Sequence, residues 1–270
     1  MPRTVLLTFL IYVSICACAS RYYTKLPQGT PEIPKVARSL RIAYIGFHTF
    51  RASTIKNKDG TVAFEALTEP DSRTLKSPSI GNFPSNIDLK STGTRADIPT
   101  ERVQSFMKAY LSETGPSGIR ELEKFLDIKK ENQSYTYTLK NLPFDYYIVG
   151  IHTPPLENSS RIFWNFVTLI SELASIASLG ILPSYETFEA STIVLIYDAN
   201  LNRLKELHYN NDYSVLRALW ARPNPPECKI GNLSCLGMFS PTIRANHPIV
   251  FEGMIPRINA DIVESLRTLK

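Results

Sequence analysis

Apolar and polar positions along the chain fall into two periods, and each period predicts a different kind of element. Arg41-Ile42-Ala43-Tyr44-Ile45-Gly46-Phe47 is a nearly continuous apolar run rich in β-formers, which predicts a buried strand. Tyr146-Tyr147-Ile148-Val149-Gly150-Ile151 has the same character, while Ser134 to Leu139 alternates as a half-exposed strand. Ser191 to Tyr197, the turn-forming Asp198-Ala199-Asn200-Leu201-Asn202 and the weaker alternation of Arg203 to Tyr209 predict a hairpin with an outer strand.

Helical spacing marks other segments. Val103, Phe106, Met107, Tyr110 and Leu111 form one apolar face behind Thr100, which is placed to cap the helix. A second helix is predicted from Ser117 to about Ile128, with Ile119, Leu122, Phe125 and Leu126 inward and Arg120, Glu121, Glu123 and Lys124 outward. Tyr213 to Trp220 is expected as a short helix, and Ala260 to Leu269 as a closing one. Between the first strand and the first helix, about 51–96 is polar and rich in Pro and Gly. It is expected as a long loop excursion carrying a short hairpin around Thr61 to Ala66.

Ile162 to Leu182 is largely apolar for its whole length. That length permits a membrane span, but Glu172 near the middle opposes insertion by about 2.5–3.5 kcal/mol if ionised. A place in the domain core or on a membrane surface is therefore expected rather than a span.

The N-terminus carries an address. Arg3 precedes the apolar run Val5 to Val13, and small residues follow, the build of a secretory signal. The run is too short for a spanning helix, which needs about 20 apolar residues. Ser20 to about Leu40, with Pro27, Gly29, Pro31 and Pro34, is expected as a tether spanning roughly 25 Å.

Composition and charge narrow the field. Hydrophobic residues make up 43% of the chain, enough for a real core, and the +5 formal charge is dispersed. No basic stripe points to nucleic acid. Cys228 and Cys235 lie seven apart in a loop rich in Pro, Gly and Asn, and are expected to form a local disulfide in an oxidising compartment. No metal or cofactor set is expected. The histidines His48, His152, His208 and His247 show no ligand-type spacing, and no nucleophile elbow or phosphate loop is present. His48 and His152 each follow an apolar strand, so they can converge at one sheet edge. Glu121 and Glu123, placed on an outer helix face, are not expected to form a site.

Ile15-Cys16-Ala17-Cys18 resembles a lipobox, an aliphatic residue and a small one ahead of a cysteine that is acylated, typically with palmitate, and becomes the first residue. Such relaxed boxes look like those of spirochaete envelope lipoproteins of the Leptospira type. Leu179-Gly180-Ile181-Leu182-Pro183, followed by the Ile193 to Tyr197 strand and Asp198, is similar to a pattern in the same class. Arg41 to Ile45 with Phe47 is similar to the opening strand of envelope assembly domains. The resemblance implies lipidation at Cys18 and attachment to the outer membrane, with the domain exposed at the cell surface.

These readings give 1–17 as signal peptide, 18–40 as lipid-anchored tether and 41–270 as one globular domain of α+β (or α/β) class, a mixed sheet with flanking helices. The expected function is non-enzymatic: binding or structural association with protein or host macromolecules, membrane contact coming through the N-terminal lipid. A periplasmic accessory subunit of an envelope export or assembly complex is the first alternative, and a secreted hydrolase with an unrecognised site is the second, which would need His48 and His152 within hydrogen-bond reach of each other and of a nucleophile.

Overall fold

The computed structural model describes residues 19–24, 40–56, 62–75, 91–131, 134–155, 157–158, 161–221 and 248–269. Cys18, the Cys228 and Cys235 pair and His247 lie outside the described residues. In chain order the strands and helices are β1 (Ala19–Thr24), β2 (Ile42–Gly46), β3 (His48–Lys56), β4 (Val62–Arg73), α1 (Thr100–Thr114), α2 (Ile119–Leu122), β5 (Leu126–Glu131), β6 (Ser134–Leu139), β7 (Tyr146–His152), β8 (Glu157–Asn158), α3 (Ile162–Ala177), β9 (Ser184–Glu189), β10 (Ser191–Asp198), β11 (Arg203–Asn210), β12 (Tyr213–Ala218), α4 (Pro248–Glu252) and α5 (Ile255–Thr268). The class is α+β.

A mixed sheet in the order β11-β10-β7-β2 forms the centre, with β2 parallel to β7 and the other pairs antiparallel. Helices cover both of its faces, which is why β2 and β7 are apolar without a break. Strand alternation sends Ala43, Ile45, Tyr147, Val149, Leu195 and Tyr197 to one face, where Val103, Phe106 and Tyr110 of α1 meet them. Ile42, Ile148, Val194 and Ile196 go to the other face, against Ile258, Ile262, Val263 and Leu266 of α5. Rings fill the first layer: Phe106 meets Tyr197 edge-on with centroids 5.0 Å apart.

The hairpin β10–β11 does not stop at the central sheet. Only Ala190 separates β9 from β10, and Asn211 and Asp212 separate β11 from β12. The Ala190 carbonyl accepts the Asn211 N–H across this bend at 2.8 Å. Beyond it the same two chain segments continue as β9 and β12, joined by β1 and β8 into a second sheet in the order β1-β12-β9-β8. Phe188, Tyr213 and Val215 pack there with Val250 and Phe251 of α4.

Several elements depart from the sequence expectation. The helix expected from Ser117 to Ile128 is a 3-10 turn (Gly115–Gly118) and the single turn α2, after which the chain extends as β5. β5 pairs with β6, and Leu126 sits opposite Leu139 in the core, so tertiary pairing overrides helical spacing. Tyr213 to Ala218 is the strand β12, held between β1 and β9, rather than a helix. Thr100 is the first residue of α1 and makes no capping bond. The polar excursion carries a hairpin much longer than expected, β3 against β4, with Lys56 opposite Val62 and His48 opposite Arg73. The opening of the expected tether is the strand β1, in register with β12 from Ala19–Ala218 to Thr24–Tyr213.

Candidate functional site

Two features stand apart from ordinary packing: a buried polar cluster at the central sheet edge, and an apolar helix face turned outward on the second sheet.

The cluster begins with backbone. β2 ends in a sharp turn at Gly46 (φ 82°), and a Cβ there would meet the Gly150 carbonyl at 2.1 Å, so only glycine fits. The turn drives Phe47 under β7, its N–H donating to Gly150 O at 2.7 Å, and opens β3 with His48. Glu121, on the single turn α2, lies directly opposite and is only 6% exposed. Its Oε1 accepts the Gly46 N–H (3.1 Å) and an Arg73 guanidinium N–H. Its Oε2 accepts His48 Nε2–H (2.6 Å) and the Tyr110 hydroxyl (2.6 Å). Burial pushes the carboxyl pKa up. The His48 hydrogen bond, the Arg73 and His48 charges and the Tyr110 hydroxyl outweigh it and hold the group below the ordinary carboxylate range.

His152, 2% exposed, ends β7 beside this cluster. Thr192 donates to Asn211 Oδ1 (2.7 Å), so its oxygen accepts from His152 Nδ1–H (2.8 Å). Nε2 then accepts the Thr74 hydroxyl at 2.8 Å. The ring stacks on Phe251 with centroids 4.0 Å apart. Burial, and to a lesser degree the charge of His48, lower its pKa to about 3, so it is a neutral cross-link between β7, β10 and Thr74, the residue after β4.

The fold thus brings His48 and His152 close enough to interact electrostatically, as their positions after two parallel strands imply. Both ring nitrogens of His152 already hold hydroxyls inside the core, and the Glu121 oxygens hold four donors. The arrangement ties the β3–β4 hairpin and α2 to the sheet. His208 is elsewhere, exposed on β11 beside Glu206. The expectation that Glu121 faces outward is corrected, because α2 ends after one turn and the periodicity that placed Glu121 outside does not persist. The turn-forming run Gly115-Pro116-Ser117-Gly118 directly before α2 marks where regular helix stops. Arg73, Tyr110, Thr74 and Thr192 carried no signal, since only folding brings these distant positions together.

The second feature is α3. Its position overturns a core location for Ile162 to Leu182: among its described residues, no side chain of α3 is buried. Phe163 is 66% and Ile176 73% exposed, with Ile162, Phe166, Leu169, Ile170 and Leu173 also outward. These positions follow the i, i+4, i+7, i+8, i+11 spacing of one helical stripe. The helix is inside out: its apolar stripe is exposed, while Ser171 and Glu172 are half-buried on the side of the domain. Ser171 Oγ accepts the Tyr185 N–H (3.0 Å) and divides its proton between Thr168 O and Tyr185 O, closing the edge of β9 that β8 leaves uncovered. Trp164 packs on Tyr185, centroids 5.9 Å apart. Glu172, the one ionisable residue of α3, is turned to Glu186, which Arg217 grips at 2.7 and 2.6 Å. Partial burial, then the hydrogen bond and charge of Glu186, raise the Glu172 pKa.

The apolar surface continues past the helix. Leu179, Ile181 and Leu182 are exposed in the turn to β9. Trp220, 61% exposed, donates its indole N–H to Ile181 O at 2.8 Å, and the Leu219 N–H reaches Gly180 O at 2.9 Å. Ala19 pairs with Ala218 at this same end of the sheet, so β1 begins beside the patch. At the opposite end, Tyr23, Arg161, Trp164 and Tyr185 line a cleft of about 320 Å³. No described helix is long and apolar enough to cross a membrane.

No protein-family model, curated protein or solved structure matches this chain.

Proposed function

We propose that the protein is a lipid-anchored envelope protein of the spirochaete type that its N-terminal box resembles, acting by binding or structural association with envelope or host macromolecules. The supporting observation is the position of Ala19. It opens β1 at the end of the second sheet where Leu179, Ile181, Leu182 and Trp220 stand exposed. Lipid on the preceding residue, Cys18, would hold that apolar end at a membrane, with the central sheet and its α1 and α5 layers directed away. Two or more acyl chains give a stable anchor, where one gives marginal binding.

Mass spectrometry of the N-terminal peptide from cells tests the reading. A diacylated or triacylated Cys18 is expected, together with a smaller share of the protein in salt-washed membrane pellets in a Cys18→Ser variant. An unmodified N-terminus would overturn it.

A further inference from the structure

We propose that the outward face of α3, with the Leu179–Leu182 turn and Trp220, lies in the headgroup and acyl boundary of a lipid bilayer as a second attachment beside residue 18. This rests on the reading that the chain is membrane-anchored, and it names what the apolar face touches.

The inversion of the helix is the first argument. Ser171 and Glu172 are used inward, on the edge of β9 and beside Glu186, while Phe163, Phe166, Leu169, Ile170, Leu173 and Ile176 face out together. No Asp, Glu, Lys or Arg falls on that outward stripe. A contiguous exposed apolar face of this kind marks an association surface, not scattered surface hydrophobics.

Geometry selects the bilayer. At 1.5 Å per residue the helix is about 24 Å long, short of the roughly 30 Å hydrocarbon core, and its inner face is fixed to β9, so it lies along a membrane rather than through it. Trp220 sits at the end of the patch, where an amphipathic ring suits the headgroup level. Position is the strongest argument. Cys18 directly precedes Ala19, whose partner Ala218 is two residues from Trp220. One residue spans at most about 3.6 Å. Lipid on residue 18 therefore brings the bilayer against the turn, and a second copy of the chain on this face would have to displace it.

The chain has two tryptophans, so Trp164→Phe leaves Trp220 as the sole reporter. The full chain isolated from cells is reconstituted into phosphatidylcholine vesicles, with and without lipid brominated near the headgroup. Trp220 emission is expected to be quenched at least twofold by the brominated lipid. In a Cys18→Ser background, Phe166→Ser, Leu169→Ser and Leu173→Ser are each expected to lower vesicle partitioning roughly tenfold, as loss of a buried large apolar side chain implies. Unquenched Trp220 in a vesicle-bound chain would overturn the proposal while leaving the lipid anchor standing, as would a concentration-dependent dimer that protects this face. If Cys18 carries no lipid but quenching and the serine effects persist, the anchor reading fails and the bilayer contact stands.

Discussion

Replacing Tyr110 with Phe removes one oxygen from the centre of the buried cluster and leaves the ring packing intact. Glu121 keeps Gly46, Arg73 and His48 as donors, so the carboxylate is not orphaned. What is lost is one hydrogen bond to a charged acceptor at 2.6 Å, worth about 1.5–3 kcal/mol. Burial and then the nearby Glu121 charge raise the phenol pKa, so the group is a protonated donor at every relevant pH. With an m-value of about 3 kcal/mol/M, the urea midpoint of the full chain in mild detergent should fall by about 0.5–1 M. Tyr110 also helps depress the Glu121 pKa, so the acid-unfolding midpoint of Tyr110→Phe should move to higher pH. The stability gap should narrow as Glu121 becomes protonated, since a neutral bond is worth only about 0.5–1.5 kcal/mol. A loss under about 0.5 kcal/mol at neutral pH, with no shift of the acid midpoint, would refute an ionised Glu121 as the tie between hairpin and sheet.

Three further outcomes follow from the same geometry. His152 has a folded pKa of about 3, depressed from 6.5, so its contribution is complete above 6.5 and is lost as pH falls towards 3, by up to about 1.4 kcal/mol per pH unit. Chemical denaturation across that window should show this slope, and His152→Gln should flatten it. Glu172 is raised instead, so its contribution to α3 docking is complete below the ordinary carboxyl range and is lost as pH rises through the raised value. Corrected for the intrinsic base catalysis of exchange, the protection of the α3 amides should fall over that range in the wild type but not in Glu172→Gln, and equal pH dependence of protection would exclude Glu172 as the cause. A Cβ at position 150 would lie 2.3 Å from the Phe47 ring, so Gly150→Ala should destabilise by about 1–3 kcal/mol. Thermal melts of Gly150→Ala with Phe47→Leu should recover part of that loss if the ring is the obstacle.

Local pattern was enough for β2 and β7, which are unbroken apolar runs buried on both faces, and for β6, β10, β11, α1 and α5, which each keep one character over their length. It failed where the period was short or served two purposes. Ile119, Leu122, Phe125 and Leu126 fit a helix, yet Phe125 and Leu126 are buried as the chain leaves α2 and enters β5. Tyr213 to Ala218 fits several elements, and only its pairing with β1 and β9 makes it a strand.

The sequence by itself determined the apolar strands of the central sheet, the turn at Asp198 to Asn202 and the unusual hydrophobicity of Ile162 to Leu182. These are properties of neighbours along the chain. The tertiary structure decided what burial and long-range approach control: that Glu121 faces inward, that His48 and His152 lie within electrostatic reach, and that α3 turns its apolar side out. The last could not be read from periodicity, because an amphipathic helix has the same pattern whichever side it presents. Only Ser171 on the edge of β9 and Glu172 beside Glu186 show that this helix presents the polar one to the protein.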